Sequence, residues 1–163
     1  MKKLLSAGAA LLLLALPQTA SAVCLLCSCT VSTTAVAFGT YDPLSASPHD
    51  SAGNVHVSCT TTLGLLVTLT ISLDKGGYSS SFSPRKMASG ANRLNYDLYT
   101  DAAHTIVWGD GSGGTQTVTD SLTLSLLGAV TWDHAVYGRI PASQTTVPPG
   151  SYADTVIVTL TYN

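Results

Sequence analysis

The sequence has no glutamate and few charged side chains of any kind. All nine acidic residues are aspartate, and only 10% of the 163 residues are charged. Glutamate, lysine, glutamine and methionine favour helices, and here they are absent or scarce. Threonine, valine and tyrosine are plentiful instead, and these residue types suit the pleated surface of a sheet. The composition therefore predicts an all-β protein, with no helix of useful length in the body of the chain.

Basic residues are also few. The chain has seven lysines and arginines, and Lys2 and Lys3 belong to a predicted N-terminal leader. Without that leader, five basic residues stand against nine acidic ones, so the domain is mildly acidic. This balance argues against nucleic acid or an anionic membrane as a partner.

Motifs for catalysis and metal binding are missing as well. There is no G-x-S-x-G motif and no H-E-x-x-H motif, and none of the four histidines has a partner at ligand spacing. The glycine-rich run 109–114 lacks the lysine of a phosphate-binding loop and the repeated acids of a calcium loop, so it predicts a turn. Asp97 could meet Asp101 or Asp110 in space, but aspartates in turns commonly bond the local backbone. We expect no enzyme, no cofactor and no metal.

The N-terminus has the features of a secretory signal peptide. Two lysines precede an apolar run over 4–16, and the small residues Ala20, Ser21 and Ala22 form a cleavage site. The apolar run is shorter than the roughly 20 residues that a membrane span needs. We therefore predict a signal peptide over 1–22, export through the inner membrane, and a single mature domain over 23–163 without a membrane span.

Four cysteines accompany this export signal. Cys24, Cys27, Cys29 and Cys59 would reach an oxidising compartment, where disulfides are the default. Four cysteines allow three pairings, and the residues alone do not choose among them. If Cys29 pairs with Cys59, then Cys24 and Cys27 are left to pair with each other or with another molecule. The rival interpretation is a zinc site, but such sites usually combine two separated C-x-x-C pairs or added histidines.

Alternating apolar and polar residues recur along the chain and predict short strands. The last stretch shows the pattern most clearly, because Val156, Val158, Leu160 and Tyr162 alternate with threonines. Strands separated by turn residues at this spacing are typical of a sandwich or barrel. The predicted strands cover 30–38, 54–60, 65–73, 94–99, 105–108, 122–126, 135–140 and 152–162.

Seven segments, in order along nearly the whole mature chain, resemble the spore coat protein U domain family, which includes subunits of archaic chaperone–usher pili of the Csu type. The segments are CTVS at 29–32, AFGTYDP at 37–43, VSCT at 57–60, NYDLYTD at 95–101, VWGDG at 107–111, VYGRIP at 136–141 and GSYADTV at 150–156.

The resemblance implies an immunoglobulin-like β-sandwich that lacks its last strand, and a disulfide between Cys29 and Cys59. It implies assembly by donor-strand complementation, with a periplasmic chaperone, an outer-membrane usher and other pilus subunits as partners. The final location would be the cell surface, with a role in attachment and biofilm formation. The implied acceptor groove is flanked by two sets of residues: Val156, Val158, Leu160 and Tyr162 on one side, and Val31, Val36 and Phe38 on the other.

One feature departs from the pattern of a stacking subunit. In the predicted mature chain only residues 23–28 precede Cys29. At about 3.3 Å per residue this segment is too short to fill a neighbour's groove. We therefore predict a subunit that receives a strand but does not donate one, near the outer end of a fibre. The alternative function is a stand-alone secreted coat or carbohydrate-binding module, with Tyr78, Trp108 or Trp132 on its binding face.

Overall fold

The structure is a computed structural model that describes residues 27–61, 67–122 and 128–162. Within these ranges it contains eight strands and no helix, and therefore no helix long and apolar enough to cross a membrane. The strands are β1 (Cys27–Thr34), β2 (His49–Thr61), β3 (Val67–Leu73), β4 (Arg85–Ser89), β5 (Asn92–Tyr99), β6 (Val118–Leu122), β7 (Gly128–Ile140) and β8 (Val158–Tyr162).

Two antiparallel sheets form a sandwich. The larger sheet has the order β1-β2-β7-β5-β4, and the smaller has the order β6-β3-β8. The centre of the larger sheet is the long pair β2 and β7, which runs from His49 opposite Ile140 to Thr61 opposite Gly128. The predicted all-β sandwich is confirmed.

The alternation of the strands builds the core between the sheets. Every second residue of β3 is buried, and Leu69 and Ile71 have no exposed surface. Trp108 is also fully buried, and its indole N–H donates to the carbonyl of Ile71 at 3.1 Å. Fully burying such a side chain stabilises the fold by roughly 1.5–3 kcal/mol. The core therefore depends on a few large apolar residues, among them Trp108 from outside the two sheets.

A buried arginine ties the loops to this core. Arg85 has no exposed surface, and its guanidinium donates to the carbonyls of Asp74, Phe82 and Trp108 at 2.7–3.2 Å. Burial lowers the pKa of Arg85, and nearby Tyr96 and the carboxylates partly oppose that effect. These bonds join the loop after β3 to the segment around Trp108.

Several strand ends differ from the prediction. The first strand ends at Thr34 instead of residue 38, and the last begins at Val158 instead of residue 152. The predicted strand over 105–108 was wrong, because Val107 and Trp108 make only isolated bridges. In these places long-range contacts, and not alternation, decide where pairing stops. Of the predicted strand over 122–126, only Leu122 lies within the described residues, at the end of β6.

Candidate functional site

The smaller sheet has an open position beside its last strand. β8 pairs with β3 on one side only, and segment 35–41 across from it belongs to neither sheet. Between them lies a groove of about 950 Å³. We call residues 33–41 the first flank and residues 147–158 the second flank. The floor consists of apolar side chains and one tyrosine: Val55, Leu73, Met87, Leu94, Tyr96, Leu98, Val136 and Ile140.

The first flank leaves the larger sheet where it passes over a glycine. A Cβ on Gly53 would lie 2.4 Å from the carbonyl oxygen of Thr34, so only glycine allows this close approach. Beyond that point side chains of β2 replace the strand-to-strand bonds. The Ser51 hydroxyl donates to the Ala37 carbonyl at 2.7 Å, and His49 Nε2 donates to the Phe38 carbonyl at 2.5 Å. From residue 35 onward the first flank is thus bound over the inner face of β2 and is not paired along the edge of that strand.

A second glycine receives the side chains of this flank. A Cβ on Gly138 would lie 2.5 Å from Val36 Cγ1 and 2.8 Å from Phe38 Cζ. The Phe38 ring also meets the Tyr96 ring edge-on, with centroids 6.1 Å apart. Val36 and Phe38 therefore occupy one side of the groove against β7 and β5.

The second flank is held at its middle by a polar anchor. Ala153 exchanges two backbone hydrogen bonds with Ala88 of β4, at 2.8 and 3.1 Å. Next to it, Asp154 accepts hydrogen bonds from the Tyr96 hydroxyl at 2.6 Å and from the Gly77 amide at 2.8 Å. Burial is the main cause that raises the pKa of Tyr96, and the Asp154 carboxylate raises it further. The hydroxyl therefore keeps its proton and donates a hydrogen bond to Asp154. Among the described residues that line the groove, Asp154 alone carries a formal charge.

The predicted flanking residues divide into two groups. Val36, Phe38, Val156 and Val158 line the groove. Three others do not: Val31 and Leu160 are half-buried against the core, and Tyr162 is 40% exposed. Residues that the prediction missed include the floor, together with Tyr41, Val147 and Tyr152 at the rim. All three missed tyrosines, Tyr41, Tyr96 and Tyr152, lie inside the family-like segments 37–43, 95–101 and 150–156, and this was a signal that could have found them.

A disulfide joins the first strand to its neighbour. Cys29 and Cys59 lie directly opposite each other in β1 and β2, with Cα atoms 4.1 Å apart, and their sulfurs are bonded. Because β1 pairs with β2 alone, this bond fastens an edge strand of the sandwich. Cys24 lies outside the described residues, so its pairing with Cys27 stays a prediction.

The aspartates that could have formed a carboxylate pair have separate local roles. Asp101 accepts hydrogen bonds from the amides of Thr105 and Ile106, and Asp110 accepts from Ser112. Asp97 is buried in β5, and burial raises its pKa. In the part of the chain that the structure describes, no three His, Cys, Asp or Glu side chains are grouped as metal ligands would be.

The fold and the groove define an immunoglobulin-like β-sandwich with an open strand position. The profile of the Spore Coat Protein U domain family matches residues 16–159, and the chain belongs to this family. A relative, Protein U of Myxococcus xanthus, is 39% identical over 137 residues, which cover 77% of this chain and 70% of the relative. The resemblance deduced from the seven segments is confirmed.

Similar solved structures include the following two. The first is a chain in the CsuC–CsuE chaperone–tip adhesion subunit pre-assembly complex from archaic chaperone–usher Csu pili of Acinetobacter baumannii. It is 21% identical with a TM-score of 0.53, over 83% of this chain and 39% of that one. This chain therefore spans well under half the length of that relative. The P pilus rod subunit PapA is 18% identical with a TM-score of 0.49, over 83% of this chain and 99% of PapA.

Proposed function

We propose that this chain is an exported structural subunit of a chaperone–usher pilus, and that its groove receives a strand from a partner. The observation that carries this proposal is the groove of about 950 Å³ between the two flanks, next to the start of β8, whose second edge is unpaired. Protein interiors are packed to crystal density, and a cavity of roughly 150 Å³ already admits benzene. The groove is several times larger, and its floor is made of core residues. A strand is the element that fits such a space at a sheet edge.

The bound strand would add to the smaller sheet by β-augmentation. Its backbone would bond the second flank up to the start of β8, and alternate side chains would enter the apolar floor. The first flank is nine residues long, from 33 to 41. A partner strand of similar length extends about 30 Å at 3.3 Å per residue and turns four or five side chains inward.

The partners follow from this mode of assembly. A periplasmic chaperone first supplies the strand, and a neighbouring subunit replaces it at the outer-membrane usher. An empty apolar groove promotes aggregation, which is the physical reason for a chaperone. Family membership and the fold shared with a chain of a chaperone–subunit complex support these partners. The signal peptide over 1–22, the mature domain over 23–163, and a surface location with a role in attachment and biofilm formation belong to the same proposal.

The pairing of β1 supports a proposed position near the tip of the fibre. Cys27 already faces Thr61 in the larger sheet, so the residues from 27 onward are not free to leave it. With cleavage after Ala22, only residues 23–26 precede that strand. Such a segment spans about 13 Å at 3.3 Å per residue, less than half of the groove. We therefore place the subunit near the tip, as an acceptor that does not donate.

The alternative of a carbohydrate-binding face has little support from its three aromatics. Trp108 is fully buried and Trp132 packs half-buried against the core. Tyr78 is exposed, but the guanidinium of Arg93 lies over its ring at 5.0 Å from the centroid. The three side chains do not form one platform.

The proposal is tested by giving the chain its own donor strand. A segment of about nine residues that alternates valine and threonine is fused after Asn163 through a short Gly/Ser linker. Burying its valines contributes roughly 1.5–3 kcal/mol for each side chain, less the cost of ordering the strand. A net gain of about 3 kcal/mol would raise the Tm by roughly 6–12 °C for a domain of this size.

Two controls make this experiment specific. A fused segment with serine in place of each valine should give no rise in Tm. Val158→Asp should remove the rise, whereas Thr159→Asp on the outer face of the same strand should keep it. If the valine and serine segments give the same Tm, the groove does not accept a strand and the proposal fails.

A further inference from the structure

The two flanks of the groove are joined at one end through a single glutamine. β5 pairs with β7 from Asp97 opposite Arg139 to Tyr99 opposite Tyr137. Continued by two residues, this register would place Asn95 opposite Pro141, which has no N–H to donate. Gln144 takes over that place with its side-chain amide. Its Nε2 donates to the Asn95 carbonyl and its Oε1 accepts from the Asn95 amide, both at 2.9 Å.

The backbone of the same glutamine contacts both flanks. Its amide donates to the hydroxyl of Tyr41 at 3.3 Å, and that hydroxyl donates to the Pro141 carbonyl at 2.8 Å. Its carbonyl accepts from the amide of Val147 at 3.1 Å. Tyr41 is the last residue of the first flank, and Val147 is the first residue of the second. Gln144 therefore connects the larger sheet, the first flank and the second flank.

We propose that Tyr41, Pro141 and Gln144 form a clasp that positions the flanks before a strand binds. The flanks need such a device because neither has a strand partner across the groove. Without the clasp, each flank would keep only its own anchors on the sheets, and the incoming strand would have to fix the spacing between the two flanks. Preorganised sites bind more tightly because less freedom is lost on binding. The inference rests on the proposed function, since it concerns the same groove.

The chain offers a matched pair of tyrosines to test the clasp. Tyr41 and Tyr152 both line the groove, and each hydroxyl donates to a proline carbonyl at 2.8 Å. The bond of Tyr41 joins the first flank to Pro141, at the end of β7, whereas the bond of Tyr152 stays within the second flank, to Pro148. Tyr41→Phe and Tyr152→Phe therefore remove the same chemical group, and only the first opens the clasp. Gln144→Met provides a second variant that removes the side-chain bonds to Asn95.

Two measurements follow the flanks and the binding separately. Amide hydrogen exchange reports local opening of residues 33–41 and 147–158 in the free protein. Affinity is measured for a synthetic peptide of about nine residues that alternates threonine and valine. A neutral hydrogen bond contributes about 1 kcal/mol, so we expect about fivefold faster exchange in both flanks and about fivefold weaker binding in Tyr41→Phe. Gln144→Met should also accelerate exchange in both flanks and weaken binding of the peptide. In Tyr152→Phe the exchange rate of the first flank should equal that of the wild type.

The outcomes distinguish the clasp from the groove's function. If the wild type binds the peptide and Tyr41→Phe binds it as tightly as Tyr152→Phe does, the clasp is refuted and the acceptor groove stands. If the wild type does not bind while Tyr41→Phe accelerates exchange in both flanks, the clasp stands and the proposed function is refuted. Tyr41→Phe could instead lower the Tm while its exchange rates and peptide affinity equal those of Tyr152→Phe. The Tyr41–Pro141 hydrogen bond would then stabilise the fold without positioning the flanks, and the inference would be overturned.

Discussion

Gly138→Ala should force Phe38 into the groove. The new Cβ would lie 2.5 Å from Val36 Cγ1 and 2.8 Å from Phe38 Cζ, distances that real Cβ atoms do not show. Both atoms are the ends of side chains, so the side chains can yield, and the open groove is where the Phe38 ring can move. Overpacking of this kind costs about 1–3 kcal/mol. For a domain of this size the Tm should fall by roughly 2–12 °C.

The assay is thermal unfolding of the free domain and of the version with the fused donor strand. Gly77→Ala is the matched control, because its Cβ would lie at an ordinary 3.5 Å from Asp154 Oδ1. Gly138→Ala should lower the Tm more in the version with the fused donor strand, because the displaced Phe38 ring and the donor strand compete for the same space. Phe38→Leu in the same chain should restore part of the loss, as a double-mutant cycle would show. A Tm for Gly138→Ala equal to that for Gly77→Ala would refute this account of the groove wall.

Three further perturbations test the supports of the sandwich. Replacing both Cys29 and Cys59 by serine should lower the free energy of unfolding by about 2–4 kcal/mol in urea titrations, and an unchanged midpoint would contradict this. Arg85→Met leaves three carbonyls without their donor, two of them buried, and should lower the free energy of unfolding by about 3 kcal/mol or more, with Arg85→Lys intermediate. An unchanged free energy of unfolding in Arg85→Met would contradict the role of these hydrogen bonds. The pKa of Asp50 is lowered chiefly by its hydrogen bonds from Arg139, so this stabilisation is present above its ordinary pKa of 3.8 and is lost as the pH falls through the lower folded value. The stability difference between wild type and Arg139→Gln should therefore shrink well below pH 3.8, and a difference independent of pH would argue against the pair.

The disulfide and the groove are related through β1. That strand has one neighbour, and its continuation forms the first flank. The bond between Cys29 and Cys59 fastens β1 to β2 ahead of the first flank. The clasp fastens the other end of the same segment at Tyr41. Between these two points, His49 and Ser51 hold the flank by its carbonyls.

Sequence reasoning succeeded where the signal is local. Strand alternation has a period of two residues, so it could be recognised within β3 or β5 from a few neighbours. It overextended the first strand because apolar residues continue beyond β1, through 35–38. Relative to Cys29 and Val31, however, the alternation shifts by one residue at Val36 and Phe38. Their side chains do turn inward, but they contact Gly138 from outside the sheet. Alternation reports which side a residue faces, and it does not report whether its backbone is paired.

The sequence by itself determined the all-β class, the family and the apolar character of both flanks. These are properties of composition, of short segments and of alternation, and all of them can be recognised without knowing any long-range contact. Only the tertiary structure decided which edge stays open, because that depends on how all eight strands pair. It also decided where the first flank leaves the sheet, through the contact of Gly53 with Thr34. The place of Gln144 depends on a register that ends at a proline 46 residues from Asn95. Such long-range contacts leave no periodic trace in the chain.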